Sequence, residues 1–183
     1  MEHDSARDAA PASDAAREAA LYQELVRIAR AELARHRRGA TLDTRALVHE
    51  AWLKLFGGGG RAFANRKHFY ATAAQAMRQV VVDHARARLA GRRGGGAEHT
   101  TLGALDAQPL AVDAEADGLL QLDQALSKLA ALDPRLAQVM ELRVFGGLEV
   151  AEIASLLELS EATVKRDSRA ARAFLESTLA RTA

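Results

Sequence analysis

The stretch Glu149–Leu175, EVAEIASLLELSEATVKRDSRAARAFL, constrains this chain more than any other. It predicts two helices joined by a three-residue turn. Val150, Ile153, Ala154 and Leu157 recur at helical spacing and face inward on the first helix. Ser160 starts the second, because its hydroxyl can accept from amides of the following turn. At about 100° per residue, Val164, Ser168, Ala171 and Leu175 fall on one side. Lys165, Arg166 and Arg169 occupy the opposite arc, and Arg172 flanks the apolar stripe. Ala154 is small enough to let two steeply crossed helices approach. Glu158 stands where such a turn favours glycine, because the backbone there needs positive φ, at a cost of about 1 kcal/mol. The layout is that of a helix-turn-helix, which lays its second helix in the major groove. Ser160, Thr163, Lys165, Arg166, Arg169 and Arg172 are then the candidate DNA contacts. Arginine forks suit guanine edges and phosphates alike, so the spacing does not divide base from phosphate contacts. The plainer alternative is a surface hairpin whose basic residues are merely solvated.

The rest of the chain reads as helical too. Alanine, leucine and arginine dominate, only 4% of residues are aromatic and three are proline, which favours helix over strand. With no cysteine, neither a disulfide nor a thiolate site is possible. No apolar run approaches the roughly 20 residues of a membrane span. The acidic start, MEHDSARDAAPASDAAREAA, lacks the basic-then-apolar order of a secretory signal, so a soluble cytoplasmic protein with no membrane partner is expected.

A net charge of +1 conceals strong sorting. Arg61–Arg93 holds eight Lys or Arg against one acid, Asp83, whereas Gly94–Gly118 holds five acids and no Lys or Arg. Such asymmetry fits a polyanion-facing module beside a solvated acidic spacer.

Periodicity divides the chain into an all-α fold of two small helical domains. Residues 1–18 form a flexible tail, and 19–93 a first domain. Its first helix carries Leu21, Leu25, Ile28, Ala29 and Leu33 on one face, interrupted by Glu32. A second helix from Thr44 to Phe56 buries Leu47, Val48, Ala51, Trp52, Leu55 and Phe56, and Gly57–Gly60 ends it. A third, from Lys67 to Ala90, buries Phe69, Tyr70, Ala73, Met77, Val80, Val81 and Ala85. Residues 94–118 form a flexible linker of glycines, Pro109 and scattered acids. The second domain, 119–183, opens with a helix over Leu119–Leu132. Asp133 then caps a helix over Arg135–Phe145, with Pro134 in its first position and Gly146–Gly147 as its stop. The helix-turn-helix pair completes it.

No catalytic or metal constellation emerges. Asp83 and His84 are adjacent in a helix and so point to different faces. His3, His36 and His99 are scattered. Gly57–Gly60 lacks the Lys-Ser or Lys-Thr that follows a phosphate-binding glycine loop. Neither enzyme activity, nor a metal, nor a cofactor is expected.

Taken in order, ALVHEAWLKLF, the basic helix ending VVVDHARAR, the acidic spacer and LDPRLAQVMELRVFGGLEVAEIASLLELSEATVKR resemble an extracytoplasmic-function sigma factor. The likeness covers nearly everything except the tail and spacer, and NRKHFYATAAQAMRQVVVDHARARLAGRRG with SEATVKRD is similar to one bacterial subgroup. The resemblance implies a non-enzymatic factor that binds core RNA polymerase and directs it to promoters. The C-terminal domain would rest on the β-subunit flap and read the upstream promoter element. The second helix would dock on the clamp helices of the largest polymerase subunit, through the segment Leu47, His49, Glu50, Trp52, Leu53 and Lys54, with Trp52 either anchoring the core or meeting the partner. Phe63, Asn65 and His68 match the part that traps a base of the downstream element. An extruded base exposes its face and pairing edge. The alternatives are that Phe63 closes the core and Asn65 caps the helix. Arg78, Arg86 and Arg88, extended by Arg92 and Arg93, would meet phosphates. Two positions depart from relatives. Ala46 stands where many carry an acid before the Leu-Val pair, which makes Thr44 a candidate phosphorylation site for a Ser/Thr kinase, although Asp43 can serve the same end. Ser168 stands where the subgroup tends to carry a bulky aromatic. An anti-sigma factor is the other regulator that the resemblance allows. A stand-alone regulator and a helical protein-interaction module are the competing classes, and neither needs both a cationic reading helix and a strand-capturing loop.

Overall fold

The computed structural model describes residues 19–30, 44–57, 63–93 and 109–181, and of Thr44, Arg92, Arg93 and residues 109–113 it describes the backbone alone. Every regular element among them is a helix: α1 (19–30), α2 (Thr44–Phe56), α3 (Arg66–Arg93), α4 (Pro109–Leu132), α5 (Pro134–Val144), α6 (Val150–Leu157) and α7 (Glu161–Ala180). The all-α class is as expected. The tail, Glu32, Leu33, Asp43 and residues 94–108 lie outside the described residues, so the expectations that rest on them do as well.

Apolar residues at i, i+3 and i+4 build the first layer. Leu25, Ile28 and Ala29 of α1, Leu47, Val48, Ala51 and Leu55 of α2, and Phe69, Tyr70, Ala73 and Met77 of α3 are buried together. Each large side chain so buried contributes about 1.5–3 kcal/mol. A row of rings runs along this layer. Tyr22 meets Trp52 edge-on at 5.5 Å, Trp52 stacks on Phe56 at 4.1 Å, and Phe63 meets Phe56 and Phe69 edge-on at 5.6 and 5.1 Å. Helix α2 ends at Gly57, whose amide donates to Leu53 O at 2.8 Å; a Cβ there would collide with that same carbonyl.

The second layer packs α4, α5, α6 and α7 around Leu126, Leu129, Val139, Leu142, Phe145, Ile153, Val164, Ala171 and Leu175. Asp133 caps α5, accepting from the amides of Arg135 and Leu136 at 3.0 and 3.1 Å, with Pro134 at the helix start. The chain then turns at Gly146, where a Cβ would lie 2.6 Å from Leu142 O, and at Gly147, whose φ is 63°.

Two features differ from the sequence reading. Helix α4 begins at Pro109, not Leu119, so ten residues expected in the linker are helical. Proline in a first helical position loses nothing, because the amide it lacks has no partner there. Moreover, α3 packs against both α4 and α5, so buried side chains of both halves join one continuous cluster. Small residues make this approach possible: Ala71 and Ala74 of α3 face Ala130 and Ala137 across a shallow cleft of about 330 Å³.

Candidate nucleic-acid interface

Helix α6 starts at a capping arrangement in which the Glu149 amide donates to Glu152 Oε2 at 2.7 Å. It ends at Glu158, which adopts φ 57° and ψ 42°. That is the left-handed conformation expected of this position, forced on a residue with a Cβ. The amides of Glu158 and Leu159 both donate to Ala154 O, closing the helix end. Ser160 then accepts from the Thr163 amide at 3.1 Å and opens α7. Three residues thus separate the helices, as read from the sequence. Val164, Ala171 and Leu175 are buried, and Lys165, Arg166, Arg169 and Arg172 are exposed.

Not every polar group on α7 is equally available. The Thr163 hydroxyl lies 2.9 Å from Ser160 Oγ, which commits both to the cap. Lys165 pairs with Glu161 one turn back at 3.1 Å, a surface contact of small energetic worth. Among the described residues, no acid pairs with Arg169 or Arg172. Ser168 is half-buried, and its Oγ has no hydrogen-bond partner.

The structure adds a residue that the sequence reading passed over. Asp167 is 2% exposed, and Arg135 of α5 places Nε 2.9 Å from its Oδ2. Asp167 follows Val164 by three residues and precedes Ala171 by four, so helical spacing already puts it on the buried stripe. That spacing was the available signal.

The residues expected to handle the downstream element divide. Phe63 is 6% exposed and sits among Phe56, Phe69 and His68 in the core, so its role here is closing that core, not offering a face to a base. Asn65 caps α3, its Oδ1 accepting from the His68 amide at 2.8 Å. The imidazole of His68 accepts at Nδ1 from the Ala64 amide at 3.3 Å. Both residues remain exposed. Asn65, Arg66 and Lys67 line a cleft of about 570 Å³ whose far wall includes Glu152 and Ser155 of α6 and Glu158 of the turn after it.

Arg78 calls for a correction. It does not project as a phosphate contact. Its guanidinium donates to Asp123 Oδ1, to Ser127 Oγ and to Glu141 Oε1 at 2.8, 2.8 and 2.5 Å, and also to Asp123 O. Four hydrogen bonds from one planar fork meet acceptors from two helices, an arrangement lysine, with three donors on one nitrogen, could not reproduce. Arg86 stays exposed, 3.3 Å from both Asp83 and Asp123. Arg88 is half-buried, and the side chains of Arg92 and Arg93 lie outside the described residues.

On α2, His49, Glu50, Leu53 and Lys54 share one exposed face. Leu53, 53% exposed, is an apolar residue standing in water there, with Tyr22 of α1 also exposed. Lys54 reaches Asp83 of α3 at 3.0 Å. Leu47 is fully buried and supports this face from beneath, so it is not itself a docking contact. Trp52 is half-buried between Tyr22 and Phe56.

A polar network ties α1 to α3. The Tyr70 hydroxyl donates to Glu24 Oε2 at 2.6 Å and accepts from Arg27 and Arg66 at 3.3 and 3.4 Å. Burial works against the charge on Glu24, but the Tyr70 hydroxyl and the Arg27 and Arg66 guanidiniums outweigh it and hold the carboxyl below its usual pKa. Arg27 also lies 3.5 Å from Glu152 of α6. No group of three or more potential metal ligands exists among the described residues, and none of their helices is long and apolar enough to cross a membrane.

A family model described as ECF sigma factor matches residues 9–181. No curated protein and no solved structure matches the chain.

Proposed function

This chain belongs to the ECF sigma factor family, and we propose that it joins core RNA polymerase to promoter DNA through separate surfaces of its two halves. The observation that carries the reading is the cationic ridge of α7. Lys165, Arg166, Arg169 and Arg172 stand outward over a buried stripe that fixes their direction. In this reading α6 and α7 act as a helix-turn-helix, and α7 enters the major groove of the upstream element. The exposed face of α2, His49, Glu50, Leu53 and Lys54, docks on the polymerase clamp helices, with Leu53 as its apolar centre. The second half rests on the β-subunit flap. Asn65 and His68 present polar edges to a base of the downstream element, while Arg86 and Arg88 meet phosphates. The protein works in the cytoplasm as a non-enzymatic factor, under an anti-sigma factor or a kinase. Phosphorylation of Thr44 would supply the acid that Ala46 does not, and full promoter activity of Thr44→Ala under inducing conditions would remove that element of the reading.

The test is reconstitution. Purified protein is added to core polymerase, and transcripts from genomic DNA are mapped. Arg166→Ala and Arg169→Ala are expected to lower transcription at the cognate promoter while polymerase binding is spared, and Leu53→Asp is expected to weaken polymerase binding and lower transcription with it. Unchanged transcription with both arginine variants would show that α7 is not the reading helix.

A further inference from the structure

An acid on a helix that faces a polyanion needs a reason to be there. Asp167 lies between Arg166 and Ser168 on α7, nearly sealed from water, and its Oδ2 accepts no hydrogen bond. What surrounds it is charge. Arg135 Nε is 2.9 Å from Oδ2, off the hydrogen-bonding direction, and Arg166 Nε is 3.5 Å from Oδ1. Neither cation is itself buried: Arg135 is 52% and Arg166 69% exposed. The backbone of Arg135 is fixed as well, because its amide donates to the Asp133 cap at 3.0 Å. One buried carboxylate therefore stands within 3.5 Å of the Nε atoms of two exposed guanidiniums, one from α5 and one from α7. On the helical wheel Asp167 borders the edge that carries Thr163, Arg166 and Ala170, so Arg135 of α5 stands beside the cationic edge of α7.

We propose that Arg135 and Arg166 form a paired clamp on a DNA phosphodiester beside the major groove, and that Asp167 is the positioning residue that sets both forks. This deepens the proposed function and rests on α7 being a DNA-facing helix. A guanidinium restrained before contact loses less freedom on binding, and its planar fork matches a phosphate. A buried, poorly hydrogen-bonded acid is costly for the fold alone. Its placement beneath two outward cations is the feature that a clamp accounts for.

Phosphate contacts are independent of sequence, so a random-sequence duplex of about two helical turns serves as the probe. Its affinity for the full chain is measured by fluorescence anisotropy between about 50 and 200 mM salt. Arg135→Ala is expected to make the log–log salt slope shallower by about 0.9, the loss of one phosphate contact. Arg135→Lys should retain most of the slope. The decisive variant is Asp167→Asn. Removing an acid beside DNA would by bare electrostatics tighten binding, and a purely structural acid would alter only thermal stability. The clamp predicts weaker binding and a shallower slope, with α7 helicity unchanged by circular dichroism. Tighter or unchanged binding by Asp167→Asn, or an unchanged slope for Arg135→Ala, overturns the proposal. Arg169→Ala separates the two readings. If it weakens binding while the Arg135 and Asp167 variants do not, the clamp alone fails. If none of the variants has an effect, or the wild type shows no salt-dependent binding, the reading of α7 fails with it.

Discussion

Arg78 of α3 donates from Nε to Oδ1 of Asp123 on α4 at 2.8 Å, and the two residues lie 45 positions apart in the chain. With Glu141 of α5 on the same guanidinium, this contact ties the two halves together at a site where the cation is only 13% exposed. Asp123 also lies 3.3 Å from Arg86, so carboxylates of the second half cover part of the basic face of α3. An acid here occupies the place that the sequence alone assigned to a phosphate.

Removing the cation leaves two poorly solvated carboxylates facing each other. Arg78→Ala is expected to cost about 3–5 kcal/mol in urea unfolding. Arg78→Lys should recover only part of that, since a single ammonium cannot reach acceptors on both helices. A loss below about 1 kcal/mol would mean that the fork contributes little to holding α3 against α4 and α5.

Glu158 pays for a left-handed backbone with a side chain that gains nothing evident from it. Glu158→Gly removes a steric cost of roughly 1–2 kcal/mol, offset in part by the greater freedom of glycine in the unfolded chain. The net expectation is a gain of up to about 1 kcal/mol, read as a higher urea midpoint at unchanged slope. A lower midpoint would mean that φ 57° is not strained here.

The hydroxyl of Ser168 is buried without a partner. Ser168→Ala deletes that unsatisfied group and little else, so stability should rise by about 1 kcal/mol. Thermal melts of the two proteins side by side decide the point. A fall in Tm would show that the hydroxyl is satisfied in solution.

Glu24 has its pKa lowered in the folded state, so it contributes stability above its unfolded pKa of about 4.3. That contribution is lost as pH falls through the lower folded value. Comparison of wild type with Glu24→Gln in urea should show a gap favouring wild type at neutral pH that shrinks below about pH 4. A gap that stays constant into acid would place the effect in packing and not in charge.

The local alphabet of this protein was legible without coordinates. Helix α2 runs over the predicted residues, and the α6–α7 turn, the Ser160 cap, the Asp133 cap and the strained Glu158 all stand where pattern placed them. Each of these depends on contacts within about four residues, where side-chain spacing and capping chemistry are decisive. The misses share a different physics. The run from Pro109 to Gly118 has no sustained apolar period and includes a glycine costing about 1 kcal/mol in a helix, yet it is helical, with Ala116 buried. Phe63 precedes α3 outside any helical period, so nothing in the sequence says whether its ring faces the core or a partner, whereas the apolar period of α2 already placed Leu47 inward. Arg78 and Arg86 look alike as basic residues on one helix, and only the arrival of Asp123 from 45 residues away makes one an internal anchor and leaves the other at the surface. The sequence alone determined which segments coil and where they stop, because those choices are settled between near neighbours. Tertiary structure decided which charges are occupied, because an ion pair forms between whichever groups packing brings together, however distant along the chain.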